Sequence, residues 1–228
     1  MQRRHFLSLA SAAALSACVK PEPEVTRAAP VAPPPPVPDF YAALTDEPHP
    51  VPAIPPGVVD PRLWRQEVDA PPYDAVPGEI IVDPDNGYLY LMQEGRRALR
   101  YGVGVGAAGF AWDGKAQVQF TRAWPRWTPP ATMIARHPEY EPYSAANGGM
   151  PGGPDNPLGA RALYLFQDGR DTLYRIHGAC EPEYLGMAVS AGCVRMLDQD
   201  VIHLAGIVRH HAPVTVLPSH GPGAGALY

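Results

Sequence analysis

Cys193 stands in "VSAGCVRM", between a glycine and a Val-Arg-Met run, sixteen positions after the histidine of "RIHG", His177. A thiol with a pKa of about 8.5 is a weak nucleophile at neutral pH unless a neighbour stabilises its thiolate. An imidazole within hydrogen-bond reach can take the proton and give a thiolate–imidazolium pair. Gly178 lets the backbone turn sharply after the histidine, and the loop that follows is long enough to fold back and bring the two side chains together. Gly192 removes bulk beside the thiol, so a carbonyl can approach and backbone N–H groups can face its developing oxyanion. Ser190 adds a hydroxyl, and Arg195 a positive charge that favours thiolate or meets a carboxylate. Spacing alone leaves a plainer reading open, in which Cys193 is a small buried residue and His177 a satisfied structural one.

Two other uses of the cysteines compete with that chemistry. Cys180 and Cys193 form a disulfide in one reading, which would disable the nucleophile; in the other, Cys180 is an inert or buried thiol. His177, Cys180 and Cys193 have ligand types suited to zinc, but no paired spacing supports a site and a fourth ligand is missing. No metal is expected. His203, His210 and His211 lie on or near a helix and read as solvent-facing or C-terminal cations.

The elements that must position these residues are mostly strands. "EIIVDPDNGYLYLM" has two β-prone runs around a hairpin turn at Asn86-Gly87. "RRALRYGVGVG" and "KAQVQFTRAW" read as further strands, "RALYLF" and "TLYRIHG" as a second hairpin around "QDGRD", and "APVTVL" as a last strand. One helix follows the cysteine, "DQDVIHLAGIVRHH", with Asp198 as its cap. The pattern predicts a mainly β domain, a sandwich or mixed barrel with one or two short helices, over residues 78–218, with a tail at 219–228.

Upstream, the texture differs. Of the 30 prolines, 17 fall between Pro21 and Pro77. A stretch such as "VKPEPEVTRAAPVAPPPPVPDF" is too poor in bulky apolar residues to build a core, so residues 18–77 read as a disordered or extended spacer. Within it, "DPRLWRQEV" suggests one helical turn capped by Asp60 with Pro61 at its first position. Residues 1–17 carry Arg3 and Arg4, a short apolar core and "LSAC", the layout of an export signal. That core is too short to span a bilayer. "LSAC" resembles the lipobox of bacterial lipoproteins, which makes Cys18 the lipidated first residue of the mature chain and the membrane a partner. The expected location is the periplasm or cell envelope, and Val19 after the cysteine leans towards the outer membrane. A net charge of −5 without any basic stripe argues against nucleic acid.

"HG…EP…LG…VSAGCVRM" resembles the signature of the YkuD-type L,D-transpeptidases, in which HG and a loop precede S-x-G-C-[IV]-R-[ML]. "PGEIIVDPDNGYLYLM", "RYGVGVG", "GFAWDG", "WPRWTPPATMI", "GGPDNPLGARALYLF" and "APVTVL" also look like blocks of that family, so the likeness covers the β domain. The resemblance implies a β-sandwich-like catalytic domain with Cys193 as nucleophile, His177 as general base and no cofactor. It puts Gly192 and the backbone at Cys193 in an oxyanion hole, and Ser190 and Arg195 on the motif's serine and arginine. It also implies that a backbone carbonyl near Gly178 orients the histidine. Many members have His where this chain has Ala191, and members with "HGTNEP" have Asn in place of Cys180. The implied substrate is the stem peptide of peptidoglycan, with the amine of a second stem or of an envelope protein as acyl acceptor; Trp112, Trp124, Trp127, Tyr143, Asn156 and Tyr174 are candidate cleft residues. A non-catalytic, lipid-anchored wall-binding protein and an L,D-carboxypeptidase are the rival readings.

Overall fold

The computed structural model describes residues 34–106, 112–179, 181–190 and 193–219. Its strands are β1 (Gln66–Asp69), β2 (Ile80–Asp83), β3 (Tyr88–Gln93), β4 (Arg97–Gly102), β5 (Val105–Gly106), β6 (Gly114–Ala123), β7 (Arg161–Gln167), β8 (Arg170–His177), β9 (Ala188–Ser190), β10 (Val194–Arg195) and β11 (Pro213–Val216). Two α-helices join them, α1 (Ala131–Arg136) and α2 (Asp198–Ile207). Among the described residues, nine strands form one sheet in the order β1-β4-β3-β2-β11-β6-β7-β8-β10, and β5 pairs with β9. The fold is mainly β, and both predicted hairpins are present. Gly87 takes a φ of +68° at the first turn, and Asp168 and Gly169 take +50° and +74° at the second. Two consecutive positive φ values suit the right-handed twist of the flanking strands.

Alternation along the strands separates two apolar faces. Ile80, Val82, Leu89, Leu91, Leu163, Leu165 and Ile176 join Val201 and Leu204 of α2 in the main core. Ile81, Tyr90, Met92 and Ala98 face the other way and are covered by Val68 and Tyr73. The sheet therefore presents β8 and β10 side by side at one edge, with α2 directly after β10. That edge carries the residues of interest.

The described part of the Pro-rich stretch departs from the expected spacer. Residues 34–65 pack as a strap: Tyr41, Ile54 and Val59 form a buried cluster with Leu185 and Leu197, against which Leu63 and Trp64 pack. The Tyr41 hydroxyl donates to Asp200 Oδ2 at 2.9 Å and accepts the Arg65 N–H at 2.8 Å. Glu47 binds Arg161 through both carboxylate oxygens, at 2.6 and 2.9 Å, and accepts the Trp124 indole N–H at 2.9 Å. The strap ends in β1, which pairs antiparallel with β4. Proline suits such a segment, because a buried backbone without N–H groups leaves fewer donors to satisfy. A handful of large side chains, each contributing about 2 kcal/mol on burial, is enough to hold it. The turn at Pro61–Leu63 forms as expected, with Asp60 accepting the Arg62 N–H at 2.9 Å. The signal segment 1–17, Cys18, the rest of the spacer to residue 33 and the tail beyond Ser219 lie outside the described residues.

Candidate active site

β8 ends at His177, which is 4% exposed, and β10 runs parallel beside it with Val194 opposite Ile176 and Arg195 opposite His177. The Met196 N–H donates to the His177 carbonyl at 2.8 Å, so the two strand ends are locked in register. Cys193, one residue before β10, is thereby brought to the same strand end. Both side chains line a cavity of about 710 Å³ together with Tyr174 and Arg195.

His177 Nδ1 lies 2.8 Å from the Gly178 carbonyl oxygen. A carbonyl only accepts, so Nδ1 carries the proton and Nε2 keeps its lone pair for another group. Burial, and then the Arg195 charge, pulls the His177 pKa down to about 4, although the bond to Gly178 works the other way. Burial pushes the Cys193 thiol up, opposed by a hydrogen bond from the Arg175 backbone and by the charges of Arg175 and Arg195. Both shifts favour the uncharged forms. Residue types alone suggest an ion pair, whereas burial works against one, because a dry site does not hold two separate charges cheaply.

Arg195 faces the cavity and sits 3.8 Å from Glu181, a loose ion pair that leaves its guanidinium able to meet a further anion. Ser190 lies on β9. Gly192, Ala191 and Cys180 fall outside the described residues, as does any pairing of Cys180. Among the described residues no three His, Cys, Asp or Glu side chains converge as metal ligands.

The six candidate cleft residues divide evenly. Trp127, Tyr143 and Tyr174 line the cavity. Trp112 does not: it stacks on Tyr174 at 5.4 Å and packs against the main core. Trp124 does not either, its indole N–H being taken by Glu47 of the strap. Asn156 is buried and holds the backbone, donating to the carbonyls of Pro125, Met150 and Pro151 and accepting from the Leu158 N–H. A large or amide side chain in a plausible block carries no information about which way it points.

Other lining residues were not singled out by the sequence. Met133, Arg136, His137 and Tyr140 come from α1 and the 3-10 turn that follows, Pro138–Tyr143; Asp155 and Leu173 come from flanking loops. Tyr140 meets Trp127 edge-on at 5.2 Å. For the residues of α1 and that turn, the one signal is the aromatic and charged texture of "ATMIARHPEYEPY".

Asp198 also departs from expectation. It does not cap α2, whose N-cap position is Leu197. Its Oδ1 instead accepts the backbone N–H groups of Ala160, at 2.8 Å, and Ala179, at 3.2 Å.

A family model for the L,D-transpeptidase catalytic domain, YkuD, matches residues 77–216. The protein named "Probable L,D-transpeptidase YbiS" of Escherichia coli K12 is 36% identical over 137 residues, covering 56% of this chain and 40% of that protein. "Probable L,D-transpeptidase YcfS" of the same strain is 32% identical over 132 residues, again covering 56% of this chain and 40% of that protein. The chain thus spans well under half the length of these curated relatives. A crystal structure from Brucella melitensis, described as a probable carnitine operon oxidoreductase, is 43% identical, covers 70% of this chain and 96% of its own, and superposes with a TM-score of 0.47. An L,D-transpeptidase structure from Mycobacterium smegmatis is 16% identical, covers 61% of this chain and 58% of its own, and has a TM-score of 0.43. With both TM-scores below 0.5, neither superposition bears on fold or activity.

Proposed function

Because the chain belongs to the L,D-transpeptidase catalytic-domain family, we propose that it is a cysteine acyltransferase acting on peptidoglycan stem peptides. Cys193 is the nucleophile and His177 the general base. The observation that carries this is the His177 ring: Nδ1 is committed to the Gly178 carbonyl, which leaves Nε2 as the acceptor in the cavity that Cys193 also lines.

The sulfur attacks the carbonyl at the L-centre of meso-diaminopimelate in a tetrapeptide stem as Nε2 takes its proton. Proton transfer concerted with attack suits a pair whose burial favours the uncharged forms, since charge then appears only when the substrate has excluded water. Backbone N–H groups at Gly192 and Cys193 receive the oxyanion. The imidazolium returns its proton to the departing amine, D-alanine leaves, and a thioester remains. A thiolate is a better leaving group than an alkoxide, so a second amine resolves the acyl-enzyme readily. The diaminopimelate side chain of another stem gives a 3→3 crosslink, and an amine on an envelope protein gives anchoring. Arg195 holds a substrate carboxylate, while Trp127, Tyr143 and Tyr174 pack on the peptide.

The same reading places the mature chain at the cell envelope, held to the membrane by a lipid on Cys18 and spaced from it by the Pro-rich residues that follow. No helix among the described residues is long and apolar enough to cross a membrane. Intact mass after incubation with a carbapenem tests the nucleophile: the wild type gains one covalent adduct and Cys193→Ala gains none. Incubation with defined tetrapeptide muropeptides tests the acceptor, with crosslinked dimer as the expected product. Tripeptide alone makes the enzyme a carboxypeptidase, and no adduct on the wild type leaves only the binding role.

A further inference from the structure

The Gly178–Ala179 peptide is engaged on both sides. Its carbonyl oxygen accepts from His177 Nδ1 at 2.8 Å, and its N–H donates to Asp198 Oδ1 at 3.2 Å. A trans peptide is planar, with C=O and N–H pointing in opposite directions. Fixing one end therefore aims the other. Ala179 sits at a φ of +55°, a left-handed conformation that a non-glycine residue adopts only when its surroundings enforce it. The half-buried Asp198 carboxylate holds the N–H of that residue. Its Oδ1 also holds the Ala160 N–H at 2.8 Å, so one carboxylate oxygen ties the turn after β8 to the loop before β7.

The surroundings are shaped for that oxygen. A Cβ on Gly178 would overlap Asp198 Oδ1, and one on Gly159 would come within 2.5 Å of it. Burial raises the Asp198 pKa, while the two backbone hydrogen bonds and the nearby Arg161 charge oppose the rise. A half-buried carboxylate at the start of a helix, turned away from the helix to take amides of two other segments, is doing something other than capping.

We infer that Asp198 is a positioning residue for the base: by holding the Ala179 N–H it turns the Gly178 carbonyl towards Nδ1, and so fixes His177 in the tautomer whose Nε2 can accept the Cys193 proton. The inference rests on His177 acting as that base. Loss of the carboxylate frees the peptide to rotate, relaxes the strain at Ala179 and lets the imidazole sample the Nε2–H tautomer, which cannot take a proton from sulfur.

The test combines nitrogen NMR of the His177 ring with the rate of Cys193 alkylation by iodoacetamide at neutral pH. The wild type shows the Nδ1–H signature. Asp198→Ala, checked for a cooperative melt, shifts the ring towards Nε2–H and alkylates about tenfold more slowly, a change equivalent to one pKa unit at the thiol. Asp198→Asn keeps an acceptor oxygen in the same place and restores both readouts. If Asp198→Ala does not fold, Asp198→Ser, whose oxygen falls one bond short of both amides, carries the same expectation. A folded Ala or Ser variant with the wild-type ring signature and alkylation rate overturns the inference, as does an Asn variant as impaired as the Ala one. Neither readout needs a peptidoglycan fragment. Wild-type protein with the expected ring signature and no muropeptide turnover would refute the transpeptidase reading alone.

Discussion

On the Cys193 side of the cavity the backbone is held from several directions. Gly178 N–H is shared between the carbonyls of Leu158 and Arg161, each at 3.1 Å, and Arg195 exchanges two hydrogen bonds with Gly104 at 2.8 and 2.9 Å. Across the cavity, α1 and the 3-10 turns Pro138–Tyr143 and Ala145–Asn147 bury none of their residues and carry no side-chain caps. That wall is attached mainly through the two-way bridge between Trp127 and Met150 and the Arg126 guanidinium on the Gly148 and Gly149 carbonyls. Few buried contacts mean a low free energy of local opening. The wall that carries His177 and Cys193 is fixed, while the wall opposite, with Trp127, Tyr140 and Tyr143, is free to adjust.

Substitutions on the two walls should therefore separate cleanly. His177→Ala on the fixed wall removes the base and lowers the rate of acylation by a tetrapeptide stem about a thousandfold, measured as single-turnover kinetics. A loss of tenfold or less would mean that another group accepts the proton.

Protonation should undermine the same wall. Burial holds the His177 pKa at about 4 in the fold, below its ordinary 6.5, so between those values the unfolded chain binds the extra proton. The histidine's contribution is complete above pH 6.5 and is lost as pH falls towards 4, to an extent on the order of 3 kcal/mol. Denaturant titrations of wild type and His177→Gln should diverge in that sense. The difference is the quantity to read, because Asp200, raised to about 7 by burial, has the opposite slope. Parallel curves would mean that His177 is not desolvated.

Gly178→Ala forces a methyl group onto Asp198 and should cost about 2 kcal/mol in a urea titration. Trp127→Ala on the adjustable wall should show the smallest effect: KM for a stem peptide rises about tenfold, and the rate of Cys193 alkylation stays as it was. If alkylation slows as well, the walls are mechanically coupled and the contrast fails.

The same contrast separates what could be read from the sequence from what could not. Hairpins at Asn86-Gly87 and Asp168-Gly169 are legible because their turn chemistry is local. That His177 and Cys193 reach one cavity is legible because a glycine stands beside each of them for a steric reason. The strap was missed because composition speaks of proline and not of the few residues between prolines: Tyr41, Val51, Ile54 and Val59 are all buried. That Trp112, Trp124 and Asn156 point away from the cavity while Tyr140 and Leu173 line it is not legible, because the direction of a side chain in a loop depends on partners far away in sequence, as with Glu47 for Trp124. Asp198 occupies the position that propensity assigns to a cap, and tertiary partners took its oxygen instead.

The strap also decides where mechanical load would enter the molecule. A pull on the chain upstream of Pro34 meets Tyr41 before any strand, and Tyr41 is fastened to Asp200, two residues from the carboxylate that steadies the Gly178–Ala179 peptide. Load entering along that path would thus reach α2, behind His177 and Cys193, through Tyr41 before it reached β7 through Glu47 and Arg161.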